Sequence, residues 1–188
     1  MNTPTHVLFN AAILARPGAR RRNTAVLAGT ILPDLAIYVL WAYGTLTGIA
    51  EATIWSDYYF SSHWQFAVKL GNSVPLYAAM FIAGLLLRQQ LLWLFGAAAL
   101  LHIGLDFPVH ADDAHAHFWP LSDWRFHSTL SYWDSEHYGN TVRIVEFVLA
   151  CGLAGVLWQR FEGRYTRALL IMALGLYLIV PVYFKLMI

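Results

Sequence analysis

The stretch LLHIGLDFPVHADDAHAHFWPLSDWRF, residues 100–126, sets His102, Asp106, His110, His115 and His117 beside Asp112 and Asp113 in an otherwise greasy context. On a helix, His102 and Asp106 are spaced i, i+4 and share one face. An imidazole and a carboxylate on one face can grip a single cation, or simply hydrogen-bond to each other. Pro108 ends or bends that helix, so His110 is not expected to continue the face. Asp112, Asp113, His115 and His117 then read either as further ligands or as a hydrated loop. Four more groups stand in or beside apolar runs: His6, Asp34 after Pro33, His63 and Glu146. Asp34 could instead cap a broken helix, and Glu146 could pair with Arg143 one turn earlier. All-His/carboxylate ligation suits zinc, and also manganese or iron; no soft sulfur ligand is near.

These groups need elements to carry them. Of 188 residues, 59% are hydrophobic and only 12% charged, against about a quarter charged in a soluble domain. The mean hydropathy is +0.51. Residues 23–50, 70–87, 89–105, 144–159 and 168–184 are almost free of charge, and roughly 20 apolar residues cross a bilayer. The expected fold is therefore all-α: a polytopic membrane helical bundle of about five transmembrane helices. A short N-terminal half-helix at 7–15 would join it, within a single integral-membrane domain, 1–188. Arg16, Arg20, Arg21, Arg22, Arg88, Arg160, Arg164 and Arg167 fall on one side if the spans alternate, which makes that side cytoplasmic. The loops 44–73 and 109–141 then face outward and cap the site, their Trp and Tyr residues fitting an interfacial belt. No removable signal peptide is read at the N-terminus. Cys151, the single cysteine, excludes a disulfide framework. A net charge of +1 and the absence of a basic aromatic stripe argue against nucleic acid.

Helix rise converts position to depth. Counting from the flanking arginines, Asp34 lies about 18 Å above the basic face, His102 and Glu146 about 21 Å, and His6 about 15 Å. Asp106 is one turn above His102, and His63 could reach down from its loop. Ionisable groups within a bilayer are costly unless paired, and they mark function. Their convergence at one level is the main sequence argument for a site.

Three blocks carry a resemblance: Thr5-His6, Leu32-Pro33-Asp34, and Leu101 to Asp106 followed by Trp119-Pro120 and Trp124-Arg125-Phe126. In this order they resemble a family of small bacterial inner-membrane metal-dependent hydrolases. The order is also similar to that of zinc-dependent bacterial phospholipase C and fungal single-strand nucleases. The family's second Asp after Pro-Asp is Ala36 here, and only Ser62-His63 echoes its His-Ser block. The resemblance implies that Asp34, His63, His102 and Asp106 hold one zinc ion. It implies that His6 holds a second, bridged by Asp106, and that His115 or His117 with Glu146 holds a third. Asp34, His102 and Asp106 would be the catalytic set.

Cations in such a site would lower the pKa of bound water and clamp a phosphoryl group. A site in the outer half of a bacterial inner membrane, rimmed by aromatics, is placed for a lipid or lipid-linked phosphoester. The rivals are a metal transporter, a haem-bearing electron carrier and a non-catalytic, metal-stabilised membrane protein. A transporter needs ionisable groups continuing to the cytoplasmic side, and the spans carry none there.

Overall fold

The structure, a computed structural model, describes residues 1–187, without the side chains of 178 and 180–187. Its regular elements are all helical among the described residues. Helix α1 covers Thr3–Leu14, with Pro4 in its first turn, where a missing N–H costs nothing. Helices α2 (Arg20–Ile31) and α3 (Leu35–Leu46) are joined by the 3-10 turn Leu32–Asp34. A short helix, α4 (Glu51–Thr53), and a π turn, Ile54–Tyr58, lead to α5 (Ser62–Gly71) and α6 (Val74–Leu86). Helix α7 (Gln90–Asp106) runs into the 3-10 turn Phe107–Val109, and α8 (Gly139–Arg160) and α9 (Arg164–Met187) close the chain.

Four stretches among the described residues are long and apolar enough to cross a membrane: Arg20–Leu46, Ser62–Leu86, Gln90–Val109 and Gly139–Arg160. The fifth expected span, 168–184, falls on α9 and partly outside the described side chains. The second span begins at Ser62 rather than at residue 70. Residues 44–73, expected as an outward loop, are mostly helical. The polar residues of α5 mask it in a hydropathy reading. It is held instead by one apolar stripe, Val68 packing with Leu40, Ile54 and Tyr59.

Three of the spans are interrupted, at Pro33, at Asn72-Ser73 before Pro75, and at Pro108. Within a bilayer, backbone freed by such breaks must find partners in the protein. It does. Asn72 Nδ2 donates to the Pro33 carbonyl at 3.2 Å. Val74 N–H donates to the His117 carbonyl at 2.8 Å. The Ser73 hydroxyl donates to the Trp119 carbonyl at 2.5 Å and accepts from Leu76 N–H at 3.3 Å. The Asn72-Ser73 break thus ties the Pro33 break to His117 and Trp119 of the segment 110–138.

Below the breaks the helices pack closely. Gly29 of α2 rests on the carbonyl of Phe95 in α7, where any Cβ would collide with backbone. A Cβ at Gly96 would stand 2.8 Å from both Tyr77 O and Phe81 N of α6. Small residues at such crossings let helices approach where lipid offers no hydrophobic drive. Helix α1 lies against α2, α7 and α8. Its Asn10 Nδ2 donates to Thr30 Oγ1 and to the Ala98 carbonyl, both at 2.8 Å.

Candidate metal centre

Three elements meet at the level of the breaks. The last turns of α7 present His102 and Asp106 on one face; the 3-10 turn presents Asp34; α1 presents His6. His102 Nε2 lies 3.0 Å from Asp106 Oδ2 and 3.4 Å from Asp34 Oδ1. His6 Nε2 lies 3.0 Å from Asp106 Oδ1. One ligand atom from each of His6, His102 and Asp106 falls within 4.8 Å of the other two. The two imidazoles stack, centroids 3.6 Å apart and planes 13° from parallel. Three of the four residues are sealed, His6 and His102 at 0% exposure and Asp106 at 2%. The Asp34 side chain keeps 15% and is the group through which the cluster reaches the surface. Thr3 Oγ1 donates to Asp34 Oδ2, and Tyr38 donates in turn to Thr3 Oγ1 at 2.6 Å.

The hydrogen bonds of this cluster do not close on themselves. His102 Nδ1 lies 2.7 Å from the Thr30 carbonyl. A carbonyl only accepts, so Nδ1 carries the proton there. Nε2 then faces two carboxylates without a hydrogen-bond partner, and in the neutral ring it would offer them a lone pair. Its 3.0 Å approach to Asp106 is off the line of a hydrogen bond. The Thr30 carbonyl is free for this because it lies in the last turn of α2, where carbonyls lack helical partners. His6 Nδ1 is likewise buried without a partner. Lone pairs and carboxylate oxygens crowded together out of water repel unless a cation lies among them. The donor set, two imidazoles and two carboxylates, fits zinc, manganese or iron(II). A ligating imidazole held by a carbonyl on its other nitrogen is the usual arrangement in such centres.

A second arm reaches the same carboxylate from above. His110 Nε2 is 3.5 Å from Asp106 Oδ1, and the Met1 nitrogen also lies against that oxygen. His110 Nδ1 donates to Asp113 Oδ2 at 2.8 Å, and Trp133 Nε1 donates to the same oxygen at 3.1 Å. Helix periodicity discarded His110, and Asp113 stood between a further ligand and a hydrated loop. Pro108 does end the helix, yet the 3-10 turn carries His110 back over Asp106. The dense His/Asp run was the available signal. His115 is buried with its ring 4.6 Å from that of His110 and 5.6 Å from that of His117. Burial first, and then the neighbouring imidazoles, push His115 down to about 3, so it is neutral at pH 7. His117 Nδ1 donates to the Asn72 carbonyl at 3.2 Å. These two rings line the layer above the cluster rather than entering it.

Two other expected ligands lie elsewhere. His63 is exposed on α5 and makes no contact with the cluster. Glu146 is fully buried but serves α1. It accepts from Asn2 N–H at 2.7 Å, Asn2 Nδ2 at 3.0 Å, Thr5 Oγ1 at 2.5 Å and Tyr177 OH at 3.3 Å. Its expected partner Arg143 donates to the Trp133 carbonyl instead. A carboxylate at the amino end of α1 satisfies free N–H groups and complements the helix dipole.

No family model, curated protein or solved structure matches this chain.

Proposed function

We propose that this protein is a membrane-embedded, metal-dependent hydrolase, with zinc as the expected ion. Its substrate would be a phosphoester or phosphodiester of a lipid or lipid-linked molecule. The periplasmic side of a bacterial inner membrane is the setting that the basic loops favour. One observation carries the reading: the buried His102 Nε2 faces Asp106 and Asp34 with no hydrogen-bond partner. Asp34, His102, Asp106 and His6 would hold the cation. When bound, it would supply Lewis-acid polarisation of a phosphoryl oxygen and an activated water. The chain's own part is orientation: the Thr30 carbonyl fixes the His102 ring, and Thr3 with Tyr38 steadies Asp34. Asp34, the partly exposed member, faces the approach of a substrate. Beside it Leu35, Tyr38 and Val39 stand exposed on α3, an apolar flank suited to a lipid tail.

The near-complete burial of the cluster favours a second reading, a structural ion in a non-catalytic membrane protein. Metal analysis of the detergent-purified chain, with and without Asp106→Ala, tests both, alongside turnover of phosphoester lipids with and without chelator. Zinc lost in the variant, and turnover lost on chelation and regained with zinc, support the hydrolase. Full metal occupancy in Asp106→Ala overturns the ligand set. Turnover indifferent to chelation overturns the mechanism, and bound metal with no turnover leaves the structural role.

A further inference from the structure

At the other end of the bundle, a groove of about 450 Å³ opens between α2 and α7, lined by Arg20, Arg21, Thr24, Ala25, Ala28 and Leu91. Its two halves differ in character. The mouth is cationic: Arg20 and Arg21 are exposed. Neither makes a side-chain hydrogen bond or ion pair among the described residues, in contrast to their neighbours. Arg22 Nε donates to the Leu14 carbonyl at 2.8 Å, and its guanidinium lies 5.8 Å from the Trp93 ring centre. Arg160 donates to the Ala12 carbonyl at 2.6 Å. No acidic residue stands in the first turn of α2. The floor is apolar, formed by Ala25, Ala28 and Leu91, and it continues along the membrane-length stretch Arg20–Leu46 past Leu27, which is 45% exposed.

A ligand that satisfies both halves is an anion with a hydrocarbon tail attached. We infer that the groove seats one anionic phospholipid. Its phosphate lies between the Arg20 and Arg21 guanidinium groups, and an acyl chain runs down the α2–α7 seam over Ala25 and Ala28. Guanidinium suits phosphate because its planar donors match two oxygens at once. The seat lies at the end opposite the metal cluster and does not depend on its chemistry. It would hold α2 to α7, the pair that carries the Thr30–His102 bond at the far end.

The test uses the full chain in detergent with phosphatidylglycerol and phosphatidylcholine of matched acyl chains, counting retained lipid by native mass spectrometry. The wild type retains phosphatidylglycerol in preference. Each basic residue near an anionic headgroup contributes enough that Arg20→Gln with Arg21→Gln lowers that preference by about tenfold. Arg164→Gln with Arg167→Gln, at the same basic end but outside the groove, leaves it in place. Ala28→Trp keeps the arginines, fills the floor and also reduces retention. Equal retention of the two lipids overturns the seat. So does equal loss in both arginine pairs, which marks a general charge effect, or unchanged retention in Ala28→Trp.

Discussion

Asp106 and Glu146 are both carboxylates withdrawn from solvent, 2% and 0% exposed, and both touch the segment that carries α1. Their surroundings differ in one respect. Glu146 receives hydrogen bonds from a backbone N–H, an amide, a hydroxyl and a phenol, donors that need no change of protonation. Asp106 accepts from His6 Nε2 and the Met1 amine and lies beside His102 and His110, imidazoles whose nitrogens can also ligate. A satisfied buried carboxylate holds a fold together. One that shares its place with imidazoles and a second carboxylate belongs to a donor set that suits a cation. Depth alone does not tell the two apart; the donors around each do.

That contrast can be broken experimentally. Asp106→Asn keeps the shape and removes the bridging charge, and it should weaken zinc binding by about 100-fold or more, beyond what losing an outer partner costs. Competition with a chromophoric chelator measures it, and zinc affinity unchanged in that variant would erase the distinction. Glu146→Gln turns an acceptor into a donor facing Asn2, so it should cost about 1–3 kcal/mol of stability. Thermal unfolding in detergent reads that loss, with zinc affinity held within about threefold. Asp113→Ala sharpens the picture. If the Asp113–His110 arm supports the centre, affinity falls about tenfold, the low end for an outer partner. His63→Ala should do least, leaving zinc affinity unchanged and stability within about 0.5 kcal/mol.

Much of this was legible in the chain. Charge-free runs and flanking arginines located four of the spans, and counting helix rise put Asp34, His102, Asp106 and His6 at one level, where the structure brings them together. Pro33 and Pro108 announced two of the three breaks. The third, at Asn72-Ser73, was hidden because α5 is too polar on its outer face to read as membrane helix. Counting also failed past Pro108, since periodicity cannot be carried through a 3-10 turn, and so His110 was lost. Local spacing offered Glu146 a neighbour three residues away, whereas Asn2 and Thr5 lie more than a hundred residues upstream and Tyr177 lies 31 downstream; no local rule reaches that far. His63 rested on a two-residue echo, and its helix turns it outward.

The seat of α1 has a consequence for how the protein matures. His6 enters the cluster on a segment too short to cross a bilayer alone, and Glu146 and Tyr177, which grip that segment through Thr5, belong to α8 and α9. Helix α1 must wait for helices made more than a hundred residues later before its imidazole is in position. A chain truncated before residue 139 would lack a docked His6 however well its middle helices had packed.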